Sequence, residues 1–122
     1  MKKILIIEDN AVLSGTLADN LTHEGFEIMR AMDGEEGLFS ALNARPDLIL
    51  LDILLPKIDG LTLLKTLRKD EWGKNVPVII LSNLSEPSNV AAAIDADVHE
   101  YLVKTDWKIA DVIKRIRKKV GP

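Results

Sequence analysis

Apolar residues in this chain come in short unbroken runs that end in acids or turn formers. Lys3-Ile4-Leu5-Ile6-Ile7 leads into Glu8-Asp9, and Asp47-Leu48-Ile49-Leu50-Leu51 leads into Asp52. Val76 to Leu81 runs up to Ser82, with Pro77 near its start, where a missing donor is tolerated. Runs of this length with no polar alternation predict strands buried on both faces, as in a parallel sheet. Phe26 to Met29 and Tyr101-Leu102-Val103 are shorter segments of the same kind.

Between these runs the apolar period changes to that of a helix. Leu13, Leu17 and Leu21 recur every four residues, and Gly25 follows as a left-handed stop. Asp33 is placed to cap a second helix, with Glu36 completing a capping-box-like pair and Leu38, Phe39 and Leu42 as its apolar face. Asp59-Gly60 opens a third helix marked by Leu61, Leu64 and Leu67, and Glu71 to Asn75 is a polar loop. Ser85-Glu86-Pro87 opens a fourth, running to about Ala96. Its centre, Val90-Ala91-Ala92-Ala93-Ile94, buries little area and should shift more easily than the leucine-anchored helices. A last helix has Ile109, Val112, Ile113, Ile116 and Val120 as its buried stripe, with Asp106 as a candidate cap. Arg115, Arg117, Lys118 and Lys119 form a solvated basic face on it that complements the helix C-terminus.

Strand and helix thus alternate about five times, which predicts an α/β fold with a parallel sheet covered on both faces. At 122 residues the chain makes one domain, 1–122, with no linker and no effector domain; the choice between a stand-alone protein and part of a longer chain stays open. A hydrophobic share of 47% against 29% charged is the balance of a soluble protein. The net charge of −3 argues against direct nucleic-acid binding. Without cysteine there is no disulfide and no thiolate metal site. No apolar run can span a bilayer and no secretory leader precedes the first strand, so a cytoplasmic location is expected.

In a parallel sheet, ligands collect at the carboxyl ends of the strands. Glu8, Asp9, Asp52, Ser82 and Lys104 all fall there. Three carboxylates in one crevice repel by about 4 kcal/mol per close pair at an effective dielectric near 20, so the cluster calls for a cation. Oxygen donors with no His or Cys among them favour Mg2+ over zinc. A lysine and a serine beside them suit an anion rich in oxygens, such as a phosphoryl group. Taken singly, Glu8-Asp9 would read as a solvated turn with the acid capping a helix, and Ser82 as an ordinary loop serine. His23 and His99 lack ligand spacing, and Trp72 and Trp107 read as packing residues.

The ordered set Glu8-Asp9, Asp52-x-x-Leu55-Pro56-x-x-Asp59-Gly60, Ser82 and Tyr101-Leu102-Val103-Lys104 resembles the receiver domain of two-component response regulators, over essentially the whole chain. The resemblance implies a doubly wound, flavodoxin-like (βα)5 three-layer sandwich with strand order 2-1-3-4-5. It implies that Asp52 accepts a phosphoryl group from a sensor histidine kinase or phosphotransfer protein, assisted by Lys104 and Ser82. Asp9, Asp52 and the Leu54 carbonyl would bind Mg2+, with Glu8 acting mainly through water. Ser82 and Tyr101 would form the switch that reshapes the face of the fourth helix, fifth strand and fifth helix, where a partner or a second copy docks. Leu54 and Asn83 are placed to tune the rates. Such a protein is no enzyme toward external substrates and catalyses only its own phosphoryl transfer and autodephosphorylation.

Three positions depart from the family pattern: Thr105 stands where Pro is usual, Asn83 where Ala or Gly is common, and Asp97 where Gly is frequent. Thr105 implies a trans Lys104–Thr105 bond. The alternative function is a receiver-like interaction module that works without phosphorylation. An aspartyl-phosphate phosphatase is disfavoured because Leu54 occupies the position of its second acid. A flavin carrier is disfavoured because no Ser/Thr/Gly-rich loop follows the first strand.

Overall fold

The structure, a computed structural model, describes residues 1–82, 100–103 and 108–121. Five parallel strands, β1 (Lys3–Ile7), β2 (Glu27–Ala31), β3 (Leu48–Leu51), β4 (Val78–Ser82) and β5 (Glu100–Val103), form one sheet in the order 2-1-3-4-5. Helices α1 (Ala11–His23), α2 (Gly34–Ala44) and α3 (Gly60–Arg68) follow the first three strands, and a C-terminal helix (Ile109–Val120) follows β5. The expected fourth helix, Ser85 to Ala96, lies outside the described residues, as do Asp97, His99, Thr105, Asp106 and Trp107. Among the described residues no helix is long and apolar enough to cross a membrane.

The unbroken apolar runs are explained by two cores. Leu5 and Ile7, Ile49 and Leu51, Val78 and Ile80 point to one face of the sheet, where Ala41 of α2 and Leu63, Leu64 and Leu67 of α3 meet them. Ile4 and Ile6, Leu48 and Leu50, Ile79 and Leu81 point to the other, against Leu17 and Leu21 of α1 and Val112 and Ile116 of the C-terminal helix. Alternation of side chains along a strand fills both cores only if every position is apolar. Leu13, Ile109, Ile113 and Val120 pack partly buried at the margin of the second core, and Trp72 at that of the first.

The helix starts are set by side-chain caps. Asn10, Asp33 and Asp59 accept from the amides of Leu13, Glu36 and Thr62 at 3.1, 2.8 and 3.0 Å. Gly25, just past α1, adopts the left-handed φ of 96° expected of a stop. Accepting from the Thr62 amide holds the Asp59 carboxyl below its usual value near 3.8. A depressed folded-state pKa contributes stability above the unfolded value, lost as pH falls through the folded value. Asp59→Ala is therefore expected to cost about 1 kcal/mol at pH 7 in urea unfolding. The deficit should shrink as the pH is lowered through the wild-type Asp59 pKa.

Two expectations are corrected, the place of Phe39 and the bounds of two strands. Phe39 is 69% exposed and belongs to no apolar face of α2. That helix packs through Gly34, Gly37 and Ala41, because a Cβ on Gly37 would lie 2.7 Å from the Ile7 side chain and one on Gly34 would strike the Ile58 carbonyl. Phe39, two positions from Gly37, is turned roughly to the opposite side of the helix. The C-terminal helix begins after Lys108, whose amide donates to Asp111 at 3.4 Å, and the candidate cap Asp106 lies outside the described residues. The basic face of that helix stays solvated, with Arg115, Lys118 and Lys119 exposed, while Arg115 also pairs with Glu100 and Arg117 pairs with Glu24 at 2.8 Å and stacks over Phe26. Strand bounds also move, β2 running to Ala31 and β4 beginning after Pro77.

Candidate functional site

β1 and β3 are neighbours in register, Ile7 opposite Leu51, so the residues that follow them emerge side by side. The Asp52 amide donates to the Ile7 carbonyl at 3.0 Å and the Glu8 amide to the Ala31 carbonyl of β2 at 3.0 Å, extending both ladders one step past the strands. The result is a cluster in which carboxylate oxygens of Glu8, Asp9 and Asp52 all lie within 4.8 Å of one another. Glu8 and Asp52 are 3% and 5% exposed, while Asp9 faces solvent. Two carboxylates at the floor and one at the mouth give an all-oxygen donor set open on one side. That set fits a hard divalent cation such as Mg2+ that keeps some of its waters.

The Asn10 amide donates to Glu8 Oε2 at 3.0 Å, fixing that carboxylate, while the Asn10 side chain caps α1. Taken alone, Glu8-Asp9 reads as a turn whose acid caps the helix; the cap is Asn10, and Asn before an apolar helical pattern is itself a signal.

Past Asp52, the chain returns to the site rather than leaving it. The Gly60 amide donates to the Ile53 carbonyl at 2.7 Å, and a Cβ on Gly60 would sit 2.2 Å from the Asp52 carbonyl oxygen. Between them the Ile58 amide donates to the Pro56 carbonyl at 2.8 Å across Lys57, whose φ is 69°. Such a three-residue turn is strained for a residue with a side chain. It is braced from outside by the Gly34 amide, which donates to the Pro56 carbonyl at 3.1 Å, and by the Lys57–Asp33 ion pair at 3.6 Å. The Glu36 amide first, and Lys57 after it, hold the Asp33 carboxyl below its usual range. Leu54, two residues past Asp52, is 58% exposed.

Ser82 is the last residue of β4, opposite Val103 in β5, which places its backbone at the same sheet edge. The Ser82 side chain, Asn83 and Lys104 lie outside the described residues. Tyr101 stands opposite Ile80 and is half-buried against the core on the α2–α3 face.

A family model described as response regulator receiver domain matches residues 4–117. The DNA-binding dual master transcriptional regulator RpaA of Synechocystis sp. is 35% identical over 117 residues, 96% of this chain and 48% of that protein. The chain spans about half the length of the curated relatives it matches. Among solved structures, the receiver domain of the Francisella response regulator 1452 is 31% identical with a TM-score of 0.90, covering 98% of this chain and 97% of that one. A chain of the CheX-CheY-BeF3-Mg2+ complex from Borrelia burgdorferi is 31% identical with a TM-score of 0.87, covering 96% of this chain and 87% of that one.

Proposed function

This chain belongs to the response regulator receiver domain family, and we propose that it is a phosphorylation-activated switch of a two-component system with Asp52 as phosphoacceptor. The observation that carries the reading is the convergence of Glu8, Asp9 and Asp52 at the ends of β1 and β3. A carboxylate oxygen of Asp52 attacks the phosphorus of a phosphohistidine on a sensor kinase or phosphotransfer protein. The O–P bond forms as the P–N bond breaks, and the departing imidazole takes up a proton. Lys104 balances charge on the phosphoryl oxygens, and Ser82 donates a hydrogen bond to one of them once the group is in place.

Glu8, Asp9, Asp52 and the Leu54 carbonyl hold Mg2+ in this reading, and the ion supplies neutralisation of the charge on the phosphoryl group. The Borrelia complex contains both Mg2+ and BeF3. The added phosphoryl brings close to two negative charges and up to about three charge-assisted hydrogen bonds. Contacts present in only one state are what shift a conformational equilibrium. Ser82 and Tyr101 transmit that shift to the face of the fourth helix, β5 and the C-terminal helix, where a downstream partner or a second copy binds. The protein acts in the cytoplasm and hydrolyses only its own acyl phosphate.

The test is intact mass after incubation with a small acyl-phosphate donor, with Mg2+ or with a chelator. One phosphoryl adduct that forms only with Mg2+, and that borohydride converts to homoserine at position 52, supports the reading. No adduct from either this donor or a histidine phosphodonor, on folded protein with Mg2+ bound, would replace it with an interaction module that works unphosphorylated. The metal set has its own expected result. Mg2+ at tenfold its Kd should stabilise the fold by about 1.4 kcal/mol, raising the thermal midpoint by about 5 °C. Asp9→Ala, at an exposed position, should lose most of that rise without losing the fold.

A further inference from the structure

The last two residues of β2 hold the acid-bearing turn from the side opposite β3. Ala31 accepts from the Glu8 amide, as described, and Arg30 reaches over the start of α1. Arg30 Nε donates to Ser14 Oγ at 2.9 Å, and Arg30 Nη2 donates to the Ala11 carbonyl at 3.3 Å. Ser14 is fully buried, and Gly15 leaves room beside it, since a Cβ there would stand 3.8 Å from Arg30 Nη2.

A cation at a helix N-terminus opposes the helix dipole, so the guanidinium is not placed there by the helix field. The two directed hydrogen bonds are what fix it in this position. They bear on the turn that carries the acids. Ala11 is two residues from Asp9, the Ser14 amide donates to the Asn10 carbonyl at 2.9 Å, and the Asn10 amide donates to Glu8 Oε2.

We infer that Arg30 is a positioning residue for the carboxylate cluster: it clamps the first turn of α1 and thereby sets where Glu8 and Asp9 stand relative to Asp52. This rests on the metal reading of those acids. The sign of the effect separates the clamp from simple charge. Deleting a nearby positive charge should by itself tighten cation binding to an acidic site, whereas loosening the clamp should weaken it.

The experiment compares wild type with Arg30→Ala, Arg30→Lys and Ser14→Ala. Mg2+ affinity is measured by calorimetry, and amide exchange of Leu13 and Ser14 is measured in metal-free protein with Leu5 and Leu50 as core references. Arg30→Ala is expected to weaken Mg2+ about three- to tenfold, at or below the range for outer partners that touch a ligand directly. It should also speed Leu13 and Ser14 exchange while the core amides stay protected. Arg30→Lys keeps the charge but not the two-pronged contact, and should resemble Arg30→Ala. Ser14→Ala should move both readouts the same way by less. Tighter or unchanged Mg2+ binding in Arg30→Ala, or full rescue by lysine, overturns the inference. Unchanged Leu13 and Ser14 exchange overturns it as well. If wild type itself binds no Mg2+, the metal reading falls, and the exchange measurement still decides whether Arg30 clamps the turn.

Discussion

Asp52→Asn should reduce phosphoryl uptake from a small acyl-phosphate donor at least ~100-fold, since the proposed reaction makes the Asp52 carboxylate the covalent nucleophile. The amide is nearly the same size as the carboxylate, and Asp52 is 5% exposed, so the replacement fits the space already there. The fold is expected to survive, with a far-ultraviolet circular dichroism spectrum like that of wild type. Asparagine keeps one neutral oxygen donor, so Mg2+ binding should weaken rather than vanish. Asp9→Asn makes the informative contrast: it removes charge from the same cluster but leaves the nucleophile, and should slow uptake without preventing the adduct. A homoserine at a position other than 52 after borohydride, or unchanged adduct in Asp52→Asn, would mean that another residue accepts the group.

The second large effect is expected at a glycine. In Gly60→Ala the new methyl would stand 2.2 Å from the Asp52 carbonyl oxygen and 2.7 Å from Ile53 Cα. Both are backbone atoms, so no side-chain rotation relieves the contact. The cost should be about 3–5 kcal/mol, above what most single substitutions cost and a large share of the roughly 5–15 kcal/mol that holds a domain together. Relief requires moving Asp52 and Ile53 themselves, so molecules that do fold should bind Mg2+ weakly and accept the phosphoryl group slowly. Gly25→Ala is the control. Nothing lies within 4 Å of its Cβ, but its φ is 96°, so it carries backbone strain alone. It should cost about 1 kcal/mol or somewhat more and leave the uptake rate of the folded protein unchanged. Urea unfolding and the mass assay, run on both variants, separate the two effects. Equal behaviour of the two would show that the close approach at Gly60 has no bearing on the site.

Strand existence was legible because Ile4 to Ile7 and Leu48 to Leu51 are apolar without interruption, which only a two-faced buried strand requires. Strand order was not legible from the residues. Nothing in either run says that Ile7 will stand opposite Leu51, and the order entered with the family resemblance. Once these two strands are neighbours, the meeting of Glu8, Asp9 and Asp52 follows from chain position alone, which is why the acids could be chosen in advance.

Contacts between elements remote in sequence were out of reach. Arg30 on Ser14 and Lys57 on Asp33 depend on how helices settle on the sheet, and no local spacing encodes that. Phe39 misleads because residue type alone does not say which face of a helix can come close to the sheet. Gly34, Gly37 and Ala41, spaced three and four apart, mark that face by what they lack.

The double-sided strands have a consequence for how this molecule can fail. A one-residue slip of β1 against β3 would send Leu5 and Ile7 into the core built for Ile4 and Ile6, and would carry Glu8 away from Asp52 in the same movement. Burying the sheet and aligning the acids are thus one event. A chain whose β1 has settled in register against β3 fills both cores and sets Glu8 beside Asp52, whereas a slipped one does neither.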